Sequence, residues 1–165
     1  MSNEQKAKRI ARHAFRYEIA DAVLRTAAEK DPDGGTSYAF PGMTLSAFAA
    51  ELYLKALIRL EGSDPPKKHN LAELFDLLSP ETQHALEREW SSETHQERLQ
   101  EAARAHNAVV PEGLRAALLE CGDAFVAIRY IFDGGDARFY LTFLPKMART
   151  VIMEKTGWWP ELVGK

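Results

Sequence analysis

The stretch "ELYLKALIRLEGSDPPKKHNLAELFDLL", Glu51 to Leu78, joins two apolar helical patterns through a turn ending in Pro65-Pro66-Lys67-Lys68-His69. Upstream of the turn, Leu45, Phe48, Leu52, Leu54, Leu57, Ile58 and Leu60 leave a helix from about Thr44 to Glu61 apolar almost all round. Such a helix belongs in the middle of a bundle, and Thr44 is its expected N-cap. The exceptions are Glu51, Lys55 and Arg59, four residues apart each time, so they share one polar stripe. Glu51 precedes Lys55, the favourable order for an ion pair along a helix. Downstream, Asn70 is expected to cap a short helix over 71–78, with Leu71, Leu74, Phe75 and Leu78 facing inward.

The same helical rhythm extends both ways. From about Asn3 to Lys30, Ile10, Ala14, Tyr17, Leu24 and Ala28 fall on one face. Phe15, Ile19 and Val23 widen it before Asp31-Pro32-Asp33-Gly34-Gly35 ends the helix. Ser79-Pro80 predicts the next start, with Ser as cap and Pro in the first turn. The stretch 81–106 is the most polar, offers Leu86, Trp90 and Leu99 to a core, and divides at Ser91-Ser92. Leu114, Leu118, Cys121, Phe125, Ile128 and Phe132 alternate spacings of four and three. That seam favours one continuous helix over an extended reading of 126–132 closed by Gly134-Gly135. A last helix is expected from about Thr142, with Pro145 in its first turn and Leu144, Ala148, Val151 and Ile152 inward. Residues 156–165, with Trp158-Trp159-Pro160, are expected as a tail folded onto the bundle. The prediction is an all-α, single-domain bundle of five to six helices over residues 1–165.

Composition agrees. A chain of 165 residues buries roughly 70% of its unfolded surface and needs no metal or disulfide to fold. Cys121 is the lone cysteine, which excludes an internal disulfide and points to a reducing, cytoplasmic setting. No apolar run is long enough to span a membrane. The net charge of −3 argues against a uniformly basic protein but leaves room for a local basic patch. Phosphate-cradling glycine motifs, zinc-ligand spacings and nucleophile motifs are all missing, so neither a metal nor a cofactor is expected.

Four quoted segments carry a family resemblance: "AELYLKALI", "EGSDPPKK", "HNLAELFDLL" and "AFVAIRYIFD", between residues 50 and 133. Together they resemble the HEPN domains, a superfamily of small helical bundles. The resemblance implies a cytoplasmic protein that forms a homodimer. It also implies one of two roles. Some members are metal-independent ribonucleases of toxin–antitoxin, CRISPR and anti-phage systems. Others only bind nucleotides or RNA, or partner a nucleotidyltransferase or an antitoxin.

The nuclease members place an Arg four to six residues before a His in a late helix. There, His moves protons and Arg holds a phosphate. Here only Arg88 and His95, in "REWSSETH", meet that spacing. The pair sits mid-chain, Glu89 follows the Arg, and no histidine lies beyond His106. About one such spacing is expected from composition alone. The expectation is therefore a non-catalytic binding or accessory module for RNA, a nucleotide or a protein partner. A dimeric endoribonuclease using Arg88 and His95 is the alternative, and a structural interaction module is the third reading. Candidate nucleotide- or RNA-binding residues are Lys55, Arg59, Lys67, Lys68, His69 and Arg129. His69 has two readings, an anion site beside a helix N-terminus or a fixture of the helix entry. The stripe of Glu51, Lys55 and Arg59 is either solvated or part of a polar groove. Lys6, Lys8, Arg9, Arg12 and Arg16, with His13 among them, oppose the helix dipole. They are tolerated through solvent screening or through a bound polyanion.

Overall fold

Ser2 and Gln5 exchange hydrogen bonds across the first turn of α1 (Asn3–Ala28), a capping box that satisfies two N–H groups otherwise left over at a helix start. The computed structural model describes residues 1–33, 36–105, 109–129 and 141–158, with the backbone alone for Thr36, Ala102, Ala105, Ala124 and Arg129. After α1 come α2 (Thr36–Leu60), α3 (Leu71–Asp76), α4 (Pro80–Trp90) and α5 (Glu93–Ala105), then α6 (Leu114–Cys121), α7 (Ala124–Arg129) and α8 (Leu144–Thr156). No strand occurs among the described residues. The fold is an all-α bundle, with eight helical segments among the described residues rather than five to six.

The extra segments come from two breaks. The polar stretch after Ser79 divides at Ser91-Ser92, as the sequence suggested. The seam from Leu114 does not run on as one helix but stops at Gly122-Asp123. The cause is tertiary. Gly122 carbonyl accepts the Leu71 N–H at 2.9 Å, and a Cβ on Gly122 would lie 2.7 Å from Asn70 Nδ2. The start of α3 thus occupies the space a longer helix would fill. Leu118, Cys121 and Ile128 remain buried on both sides of the break. Phe132, Gly134-Gly135 and Trp159-Pro160 lie outside the described residues, while Trp158 is buried and Lys8 sits over its ring.

α1 and α2 run antiparallel, pairing Asn3 with Gly62, Tyr17 with Phe48 and Asp21 with Gly42. Ala7, Ala11 and Ala14 of α1 are fully buried, as are Ala47 and Ala50 of α2. Small side chains let two helix backbones approach closely. The face centred on Ile10, Tyr17 and Leu24 is therefore only half buried, and Ile19 and Val23 are exposed. α2 begins at Thr36, not Thr44, whose hydroxyl instead donates to the Phe40 carbonyl at 2.8 Å. Pro41 reads as a breaker, but it forfeits only one intrahelical bond, and packing along α1 compensates. Asp21 is buried where the two helices meet. Burial holds its carboxyl above the ordinary range, and Arg25 opposes that shift with bonds of 2.8 and 2.9 Å.

Carboxylates tie the remaining helices to this pair. Glu18 on α1 accepts the Tyr53 hydroxyl at 2.7 Å and Arg149 Nε of α8 at 3.0 Å. Burial, reinforced by Glu18, pushes the Tyr53 phenol far above its usual range. Gly113 opens α6 without a side-chain cap, and Glu87 of α4 supplies one by accepting the N–H groups of Leu114 and Arg115 at 3.0 and 3.2 Å. Glu61, just past α2, likewise accepts Ser79 N–H, Ser79 Oγ and Thr82 Oγ1 at the start of α4.

Candidate functional site

α2 carries its polar stripe into the protein rather than into water. Glu51 is 1% exposed, and the Lys55 and Arg59 side chains are mostly buried. A carboxylate this deep is stable only when paired and hydrogen-bonded. Lys55 Nζ meets Glu51 Oε1 at 2.7 Å, and His69 Nδ1 lies 3.0 and 3.1 Å from the two carboxylate oxygens. His69 therefore latches the turn between α2 and α3 onto α2, beside the Phe125 ring. Asn70 caps α3 by accepting the Glu73 N–H and also bonds Asp123. Lys68 pairs with Glu73, and Arg59 with Asp64. Of the cations nominated from the sequence, Lys55, Arg59 and Lys68 thus each hold a carboxylate. Lys67 is exposed. Arg129 ends α7, and its side chain lies outside the described residues.

A groove of about 500 Å³ opens between α1 and the C-terminal half of α2. Met1, Ile10, Tyr17, Phe48 and Leu52 form its apolar wall, and Lys6, Arg9, His13 and Arg59 supply its charge. Lys6, Arg9, His13 and Tyr17 follow one another at helical spacings of three and four, so α1 presents them as a row. Phe48 stacks on Phe125 at 4.8 Å, and Tyr17 packs against it at 4.7 Å, near perpendicular. No carboxylate among the described residues lines the groove or pairs with Lys6, Arg9 or His13. Arg59 adds a buried Nε with no hydrogen-bond partner among the described residues. Such a surplus of donors and positive charge suits an anion.

Arg88 and His95 are engaged elsewhere. Arg88 pairs with Glu154 of α8 at 2.6 Å and lines a second groove, about 570 Å³, between α4 and α8. His95 is buried; its Nδ1 lies 2.6 Å from the Glu89 carbonyl and 2.8 Å from Ser92 Oγ, and its ring stacks on Phe143. A carbonyl only accepts, so Nδ1 carries the hydrogen. The ring closes the turn between α4 and α5.

The model of the HEPN domain matches residues 13–108, more than half of the chain. The chain belongs to the HEPN domain family. The match runs from within α1 past the end of α5 and includes the Glu51–His69 latch. It stops short of residues 124–133, the last segment behind the sequence resemblance. No curated protein and no solved structure matches the chain significantly. HEPN domains are generally associated with nucleotides or RNA, often within toxin or defence systems, and often dimerise. No described helix is long and apolar enough to cross a membrane. The described residues hold no cluster of three or more metal-ligating side chains.

Two features of this region escape sequence reasoning. The row on α1 is visible in the spacing of Lys6, Arg9 and His13, but its completion by Arg59, Phe48 and Leu52 depends on how α1 pairs with α2. The burial of Glu51 is equally invisible, because i,i+4 spacing alone looks the same on a solvated helix.

Proposed function

We propose that this HEPN chain is a non-catalytic binding module that grips RNA by its phosphate backbone along the row of Lys6, Arg9 and His13, with Arg59 opposite. The observation that carries this reading is the groove between α1 and α2, where Lys6, Arg9 and His13 have no carboxylate among the described residues to offset them, while Arg59 is paired with Asp64. Backbone phosphates reward such a surface by releasing counterions. Phe48 has one ring face against Phe125 and Tyr17 packed beside it, which leaves little platform for stacking a base. Recognition then rests on charge and shape more than on base identity. The non-catalytic part is supported by the commitments of Arg88 to Glu154 and of His95 to the Glu89 carbonyl. The family's habit of pairing makes a homodimer the expected solution state, which light scattering reads directly. Exposed Lys67 extends the same anion-binding role beyond the groove, whereas Lys55 and His69 are held by Glu51.

The decisive experiment mixes the protein with a labelled single-stranded oligoribonucleotide in a chelating buffer. The expected result is saturable binding that weakens steeply with salt and leaves the RNA intact. Free adenosine monophosphate, added as competitor, distinguishes a nucleotide site from a strand site. Chelator-resistant cleavage that His95→Ala abolishes would replace the binding module with a ribonuclease.

A further inference from the structure

The groove between α1 and α2 sets one histidine among fixed cations. Lys6, Arg9 and Arg59 are permanent cations, whereas His13 belongs to the one side-chain type that ordinarily changes charge between pH 5 and 8. Around His13, α1 places Arg9 and Tyr17 one turn away on either side, with Arg12 and Arg16 flanking and Lys6 further along the row. α2 contributes Arg59 as its charged lining group, itself paired with Asp64. The other histidines with named partners answer to the protein's own groups: His69 to the Glu51 carboxylate, His95 to the Glu89 carbonyl. His13 is exposed and has no such partner among the described residues.

We infer that occupancy of this groove by an RNA backbone is coupled to proton uptake at His13. A phosphate beside the ring favours its charged form, and the charged ring strengthens the hold on the phosphate. By linkage the two effects are equal in free energy. The inference rests on the RNA-binding reading above and adds its regulation, a strand held more tightly as the medium becomes acidic. One added phosphate contact steepens the salt dependence of single-strand binding by about 0.7 in log–log slope, which at 0.1 M salt amounts to about fivefold in affinity.

The test titrates the full chain with a single-stranded oligouridylate from pH 5.5 to 8, with calorimetry in two buffers of different ionisation enthalpy to count protons. Wild type should bind about fivefold tighter at the acidic end and take up protons on binding. His13→Gln should hold its pH 8 affinity throughout, and His13→Lys should bind tightly at every pH. Binding of the wild type with no pH slope, or a slope that survives in His13→Gln and vanishes in His69→Gln, overturns the coupling and leaves the RNA reading standing. No binding at any pH removes the RNA reading and the coupling with it.

Discussion

Two grooves of nearly equal size, about 500 and 570 Å³, open on different sides of α2, and they differ in charge balance. The one beside α4 and α8 sets Arg88 against Glu154 and Lys155 against Glu81, with Glu61 at its edge. Each of its two cations is paired with a carboxylate, and Glu61 closes the start of α4. The one beside α1 gathers Lys6, Arg9, His13 and Arg59 without a lining carboxylate. Size alone therefore does not nominate a site here. What separates the two is whether the protein has already satisfied its own charge, because satisfied ion pairs must be broken before a ligand gains from them.

Mutations can break this contrast, and the largest effect is expected in the balanced groove. Glu61→Ala takes from the buried Thr82 hydroxyl the carboxylate it donates to and gives the Ser79 N–H back to water. It should cost about 2–3 kcal/mol of unfolding free energy in urea titrations, with RNA affinity unchanged. In the cationic groove the pattern should invert. The double change Lys6→Gln, Arg9→Gln should weaken oligoribonucleotide binding about 25-fold at 0.1 M salt and flatten the salt slope by about 1.4, with no loss of stability. If that pair behaves like wild type, the groove is not the RNA surface.

A smaller effect belongs to the seam that α1 shares with α2. Burial raises the Asp21 carboxyl, so the folded state keeps its proton to a higher pH than the unfolded chain does. Its contribution to stability is full below the unfolded pKa and falls as pH rises through the elevated folded value. Asp21→Asn should therefore gain about 1 kcal/mol at pH 7, and thermal melts should show the gain fading below about pH 4. Smallest of all, Arg88→Ala removes an exposed pair and should cost under about 1 kcal/mol while moving RNA affinity less than twofold. A large loss of binding in Arg88→Ala would erase the distinction between the grooves.

Much of this was legible before any coordinates. The continuous apolar character of residues 45–60 marked the central helix, Asn70 and Ser79 marked two helix starts, and the inward face of α8 followed from Leu144, Ala148, Val151 and Ile152. Local signals sufficed there, because caps and amphipathic spacing act within one or two turns. They misled where a distant segment intervened. The heptad-like rhythm through Cys121 and Phe125 suggested one helix, but Asn70 and Leu71 dock against Gly122 and end it. Pro41 suggested a late start for α2, but the extended seam with α1 carries the helix back to Thr36. Capping of α6 by Glu87, twenty-seven residues before Leu114, left no local trace at all.

By itself, the order of residues determined the fold class, most helix starts and the family, because each depends on interactions along a short length of chain. It also displayed every cation now found in the groove. Only the tertiary structure decided which of those groups stay free for a ligand, since an ion pair joins Arg88 to Glu154 and hydrogen bonds join His69 to Glu51 across stretches that no periodicity links. Charge neutralisation acts through space, over a few ångströms, and which carboxylate comes that close is settled when the helices pack.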